Sequence, residues 1–164
     1  MATVVVPFRG TNGKSRLALP EQERRELALS MLRGVVEAAA EVGEVVLVTD
    51  DEEARALAPR WVDDPGGGQG AAVAAALAQA NGPTLVVNAD LPRVEPDDLR
   101  ALLAAIPGNG VAIVEAPDGT TNAIGLAEPG LFEPLYGPGS AARFKERGAI
   151  VVDLPRLAED LDTL

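Results

Sequence analysis

Short apolar runs rich in β-branched residues alternate with longer stretches whose apolar residues return every three or four positions. Thr3–Phe8, Val45–Thr49, Thr84–Asn88 and Val111–Glu115 are almost continuously apolar, as strands covered on both faces must be. Leu27, Met31, Val35 and Ala38 recur at helical spacing; Pro20, Glu21 and Glu23 suit the start of that helix and Gly43 its end. Asp51–Ala58, Ala71–Gln79, Pro96–Ala105 and Ser140–Arg147 predict further helices. Arg60–Val62, Asn122–Leu126 and Ala149–Val152 predict further strands. The alternation points to one domain over residues 1–164, a three-layer α/β/α arrangement around a mostly parallel sheet. Asn122–Leu126 could insert antiparallel and make the sheet mixed. Right-handed crossovers place the loops that follow strands along one edge, where ligands bind.

Composition narrows the chemistry. The 164 residues are 47% hydrophobic, enough for one folded core, and no apolar run reaches the roughly 20 residues of a membrane span. No secretory leader is evident at the N-terminus, so a cytoplasmic protein without a membrane partner is expected. The net charge of −11 argues against nucleic-acid binding but allows small phosphorylated ligands, given local cations and metals. There is no cysteine, which excludes disulfides, thiolate metal sites and a cysteine nucleophile. There is no histidine either, so any catalysis must run on carboxylates, metals and backbone donors. Phosphoryl and nucleotidyl transfer can run that way, because they depend on positioning and charge neutralisation. The oligomeric state is left open, a homodimer included.

Three loops after strands carry the candidate chemistry. Arg9–Leu17 reads RGTNGKSRL: Gly10 and Gly13 allow close backbone approach, and Lys14 and Arg16 supply charge for phosphates. Its spacing is not that of a Walker A loop, and no G-x-G-x-x-G follows the first strand. Asp63–Gly70 reads DDPGGGQG and opens a helix; it suits an anion or a planar base, or equally a solvent loop. Asn88–Pro92 reads NADLP, and Asp90 at the end of a central strand is well placed for Mg²⁺. Its alternative role, capping the next helix, is better filled by Glu95 or Asp97. Asp160 and Asp162 have the spacing to share a face if their segment is extended, and could complete a metal site or simply be solvated.

Together these loops resemble the MobA-like, GT-A-type nucleotidyltransferases: a strand, then Gly13-Lys14-Ser15-Arg16-Leu17, then Ala89-Asp90-Leu91-Pro92, then Asp160-x-Asp162-Thr163. More closely, the chain resembles the 2-phospho-L-lactate/phosphoenolpyruvate guanylyltransferase family of coenzyme F-420 biosynthesis. VPF and KSRLAL within residues 5–19, DPGGGQGAA at 64–72, GTTNAIGL at 119–126 and YGPGSAARF at 136–144 carry that likeness. The resemblance implies a GTP-binding enzyme that uses Mg²⁺, as one or two ions, and passes GMP to a small phosphorylated acid. It implies that Arg9, Gly10, Gly13, Lys14 and Arg16 form the phosphate loop, with Lys14 and Asp90 catalytic. It places Gly67, Gly68, Gln69 and Gly70 around guanine and ribose. It assigns Thr121, Gly137, Gly139 and Ser140 to the acceptor, and Asp90, Asp160 and Asp162 to the metal. Another acceptor (a molybdopterin, a sugar phosphate or 3-phosphoglycerate) or a non-catalytic nucleotide-binding domain is the competing expectation.

Overall fold

The computed structural model describes residues 2–9 and 20–161 of the chain. In chain order its elements are β1 (Ala2–Pro7), α1 (Glu21–Ala40), β2 (Gly43–Val48), α2 (Glu52–Arg55), β3 (Trp61–Val62), α3 (Gln69–Leu77) and β4 (Thr84–Val87). Then follow α4 (Pro96–Ala105), β5 (Val111–Glu115), β6 (Thr121–Leu126), a 3-10 turn at Pro129–Leu131, α5 (Ser140–Glu146), β7 (Ile150–Val151) and α6 (Pro155–Ala158). The strands form one sheet in the order β3-β2-β1-β4-β6-β5-β7. Only β6 runs against the others: it pairs antiparallel with β4 and β5, while the remaining pairs are parallel.

Strand alternation divides the core into two layers. Val4, Val6 and Phe8 face one side, where they pack with Leu32, Val35, Leu99, Leu102 and Leu157 from α1, α4 and α6. Val5 faces the other, with Ala72, Val73 and Ala76 of α3 and Ala141 and Phe144 of α5. Helices therefore cover both faces, which is why the central strands read as unbroken apolar runs.

Two expectations need correction. Gly43 does not end the first helix; α1 stops at Ala40 and Gly43 begins β2. Its reason is contact, since a Cβ there would lie 2.2 Å from the carbonyl oxygen of Ala2 on the neighbouring strand. Pro20 is the N-cap rather than part of the first turn: its ψ is 149°, and its carbonyl accepts the first helical bond, from Arg24 N–H at 3.0 Å. The short helix α6 was not anticipated; its four residues are too few to show a helical period.

Asp51 caps α2, accepting from Ala54 N–H at 3.0 Å, and accepts from Nη1 and Nη2 of Arg25 on α1 at 2.8 and 3.0 Å. The Arg25 hydrogen bonds, helped by the Ala54 N–H and opposed by burial, hold the Asp51 carboxyl below the usual aspartate range. The resulting stability is complete above the ordinary aspartate pKa of about 3.9 and is lost as pH falls through the lower, folded value. Asp51→Asn keeps the cap but removes the charge. It should cost about 1 kcal/mol at pH 7, discounted for the partly exposed Arg25, and the gap to the parent should close in acid. Thermal melts between pH 3 and 7 measure it.

Candidate active site

The ends of β1, β2, β3, β4, β5 and β7 and the start of β6 open on one edge of the sheet. From β1 the chain moves outward through β2 and β3, then returns to β4 on the other side of β1. Such a reversal creates a crevice beyond the carboxyl ends of the two central strands.

Asn88, the first residue past β4, joins three elements. Its N–H donates to the Asn122 carbonyl at 3.0 Å, and its Nδ2 to the Thr121 carbonyl at 3.2 Å. Its Oδ1 accepts from Gln69 Nε2, in the first turn of α3, at 2.8 Å. The start of α3 is thereby tied to the centre of the crevice.

The triple-glycine loop runs into that same helix. Gly66, Gly67 and Gly68 have φ of +79°, +90° and +101°, a path on which side chains are strained. Asp64 shapes the loop: one carboxylate oxygen accepts from Gly66 N–H at 2.9 Å, and the other lies 3.5 Å from Arg9 Nε. Arg9 thus links the segment after β1 to the glycine loop. Gly68 is the N-cap of α3 and offers no side-chain cap, so the first turn presents its N–H groups as an anion site does. Gly70 sits where a Cβ would lie 2.6 Å from the Cβ of Pro134, so the chain at Pro134 packs directly on α3.

That segment leads into α5. Gly137 and Gly139 have φ of +107° and +75°. Thr121 and Ser140 are buried, and their hydroxyls meet at 2.9 Å, pinning β6 to α5. The Ser140 N–H donates to Gly137 and the Ala141 N–H to Gly119, at 3.0 and 3.1 Å. Those first two amides of α5 are therefore engaged within the fold. The Tyr136 hydroxyl is buried without a hydrogen-bond partner among the described residues, and burial pushes its pKa up.

Asp90 lies in the loop after β4, and Glu95 occupies the N-cap of α4 as anticipated; it is Asp98, rather than Asp97, that reaches back to the Glu95 N–H at 3.0 Å. The Asp90 carbonyl accepts from Leu161 N–H at 3.2 Å, which sets the chain bearing Asp160 beside Asp90. Asp160 is itself buried. Asn122 supports that approach, donating from Nδ2 to the carbonyls of Leu157 and Ala158, both at 3.0 Å. Gly10, Gly13, Lys14, Arg16 and Asp162 lie outside the described residues. Among those described, no three acidic side chains gather as a metal site.

The edge that holds these loops coincides with a family match: the MobA-like NTP transferase domain spans residues 12–157. This chain belongs to the MobA-like NTP transferases. Within that family it is 38% identical to a phosphoenolpyruvate guanylyltransferase of Sphaerobacter thermophilus, covering 99% of this chain and 89% of the relative. A phosphoenolpyruvate guanylyltransferase of Streptomyces scabiei is 35% identical, covering 98% and 86%. Solved structures carry the same fold at low identity. A nucleotidyl transferase from Methanothermobacter thermautotroptrophicus superimposes with TM-score 0.66 at 18% identity, covering 99% of this chain and 92% of that one. A 4-diphosphocytidyl-2C-methyl-D-erythritol synthase from Anaerococcus prevotii gives 0.65 at 13%, covering 99% and 92%. The chain is thus a nucleotidyltransferase on a GT-A-like sheet.

Within this MobA-like site, sequence reasoning passed over two groups. The sequence places Asn88 and Asn122 at strand ends and gives neither a linking role, yet they join α3, β4, β6 and α6. Their signal was available: side-chain amides at the ends of apolar strands are at least partly buried and must find partners. Arg143 carried no such signal, because its partners are backbone carbonyls, which every residue type supplies alike.

Proposed function

We propose that this MobA-like enzyme joins GMP from GTP to a small phosphorylated acid, phosphoenolpyruvate or 2-phospho-L-lactate, releasing pyrophosphate, as a step of coenzyme F-420 biosynthesis. The observation that carries this reading is the near full-length similarity to phosphoenolpyruvate guanylyltransferases. The crevice geometry supports it. The helix α3 start and glycine loop suit a nucleotide, and Pro134, three residues before the Gly137–Gly139 turn, packs on Gly70 of that helix.

A phosphate monoester is largely dianionic near neutral pH, its second pKa being about 6. Its oxygen attacks the α-phosphorus of GTP; the new phosphorus–oxygen bond forms as the bond to the β-phosphate oxygen breaks, and pyrophosphate leaves. No proton need be removed from the nucleophile, in keeping with a chain that has no histidine. Lys14 and Arg16 are the cations we assign to the triphosphate, and Gln69 and its glycines to the nucleoside.

A divalent ion fits the donor set. Asp90 and Asp160 are hard oxygen ligands on adjacent segments, joined by the Leu161–Asp90 backbone bond. Mg²⁺ is commonly held by one or two carboxylates plus substrate phosphates, so a third acidic group is not required. Asp162 is a further candidate ligand. When bound, the ion would offset the repulsion between the two anionic substrates.

The test is mass spectrometry of products from GTP and Mg²⁺ with each phospho-acid, sugar phosphates serving as controls. A GMP adduct of phosphoenolpyruvate or phospholactate, with stoichiometric pyrophosphate, is expected. An adduct formed only with sugar phosphates would overturn the reading.

A further inference from the structure

Arg143, on α5, folds back over the turn that precedes its own helix. Its Nη1 donates to the Pro138 carbonyl at 2.7 Å, and its Nη2 to those of Leu135 and Tyr136 at 2.8 and 3.1 Å. A Cβ built on Gly139 would lie 3.4 Å from Nη1 and one on Gly137 3.9 Å from Nη2, so the guanidinium lies against the backbone of both glycines.

This turn needs a brace. It holds a tyrosine hydroxyl buried without a partner among the described residues, a cost that the surroundings must offset, and two glycines whose backbone freedom must be restrained. Arg143 is also unusual in its partners. Lys145 and Arg147 on the same helix pair with Glu115 and Glu133, whereas Arg143 meets no carboxylate among the described residues. Three carbonyls orient its planar fork without cancelling its charge. In a chain of net charge −11, that leaves a positive guanidinium on the turn that follows Pro134, the residue that packs on Gly70 of α3.

We propose that Arg143 is a positioning residue for the acceptor. It sets the Leu135–Gly139 turn in the shape that receives the phospho-acid, and its charge raises the affinity of that anion. The inference rests on the guanylyltransferase reading above. Lysine cannot reproduce it, because one ammonium cannot span three carbonyls in a plane.

The experiment is steady-state kinetics of R143A and R143K, with acceptor and GTP varied separately. It is paired with hydrogen exchange of the 135–141 backbone in enzyme free of substrates. R143A should raise the acceptor KM about 10- to 100-fold, the range expected for lost charge-assisted hydrogen bonds, with the GTP KM within about twofold of the parent. Added guanidinium salt should restore part of the loss in R143A. R143K should fall between the two, and it carries the test if R143A does not fold. The 135–141 amides should exchange faster in both variants.

An unchanged acceptor KM in a folded variant of an active enzyme would overturn this inference alone. So would parallel rises in both KM values, or a lower melting temperature with kinetics unaltered. An absence of any phospho-acid product from the parent enzyme would overturn the guanylyltransferase reading and this inference with it.

Discussion

Asp90→Asn should leave the fold standing and lower turnover by about 10²- to 10⁴-fold, since a metal ligand in phosphoryl transfer is worth several kcal/mol and each 1.36 kcal/mol is tenfold in rate. The substitution preserves size and removes charge. Asp90 is not the cap of α4, because Glu95 holds that position. The Asp90 carbonyl, which receives the Leu161 N–H, is backbone and survives the change. The melting temperature should therefore shift little, while calorimetric affinity for Mg²⁺ in the presence of GTP should fall. Parental turnover at ordinary Mg²⁺ would remove Asp90 from the metal site and, with it, the reason for placing the chemistry beside β4.

Asn122→Ala is expected to have the second largest effect, and to act on stability and activity together. The side chain is 2% exposed, and its amide is shared between two carbonyls at the end of α6. Its own carbonyl holds Asn88, two residues before Asp90. Asn122 thus joins the chain leading to Asp90 with the chain leading to Asp160. Truncation leaves buried carbonyls without these donors and a space besides, for a cost of about 2–4 kcal/mol. Helix α6 retains other anchors: Arg156 on Asp98 at 2.8 Å, Arg93 on Glu159 at 2.8 Å, and the buried Leu157. The protein should still fold, with the Asp160 segment loosened. Turnover should fall at low Mg²⁺ and recover in part as Mg²⁺ is raised. Asn122→Asp should be the more damaging variant despite its equal size, because it turns a carboxylate toward two carbonyl oxygens. Denaturant melts and a Mg²⁺ titration of activity measure both. If Asp and Ala are equally tolerated, the amide is not what holds α6.

How much of this was legible along the chain differs from element to element. The sequence bounds of Pro96–Ala105 and Val111–Glu115 match α4 and β5 to the residue, the helix because Pro96 marks its start and the strand because its apolar run is bounded by Gly110 and Pro117. The runs Arg60–Val62 and Ala149–Val152 extend beyond the two-residue strands β3 and β7, since short apolar runs do not show where pairing stops. Gly43 illustrates another limit: its sequence neighbours suggest a helix stop, while the cause of the glycine is Ala2, far away along the chain.

Local sequence determined what depends on neighbours in the chain: alternating α and β elements, strands buried on two faces, and glycine loops after strands. It also determined the absence of histidine and cysteine, and hence a chemistry that rests on carboxylates and cations. Tertiary structure alone decided what meets across the sheet. β6 runs antiparallel, bringing Thr121 and Asn122 to the edge where β4 delivers Asn88 and Asp90. α6 carries Asp160 back to Asp90, and Arg143 closes on a turn preceding its own helix. Periodicity and propensity report a residue's immediate neighbours. The pairing of a buried amide, a guanidinium or a carbonyl is set by whatever donor or acceptor the folded chain brings within about 3 Å.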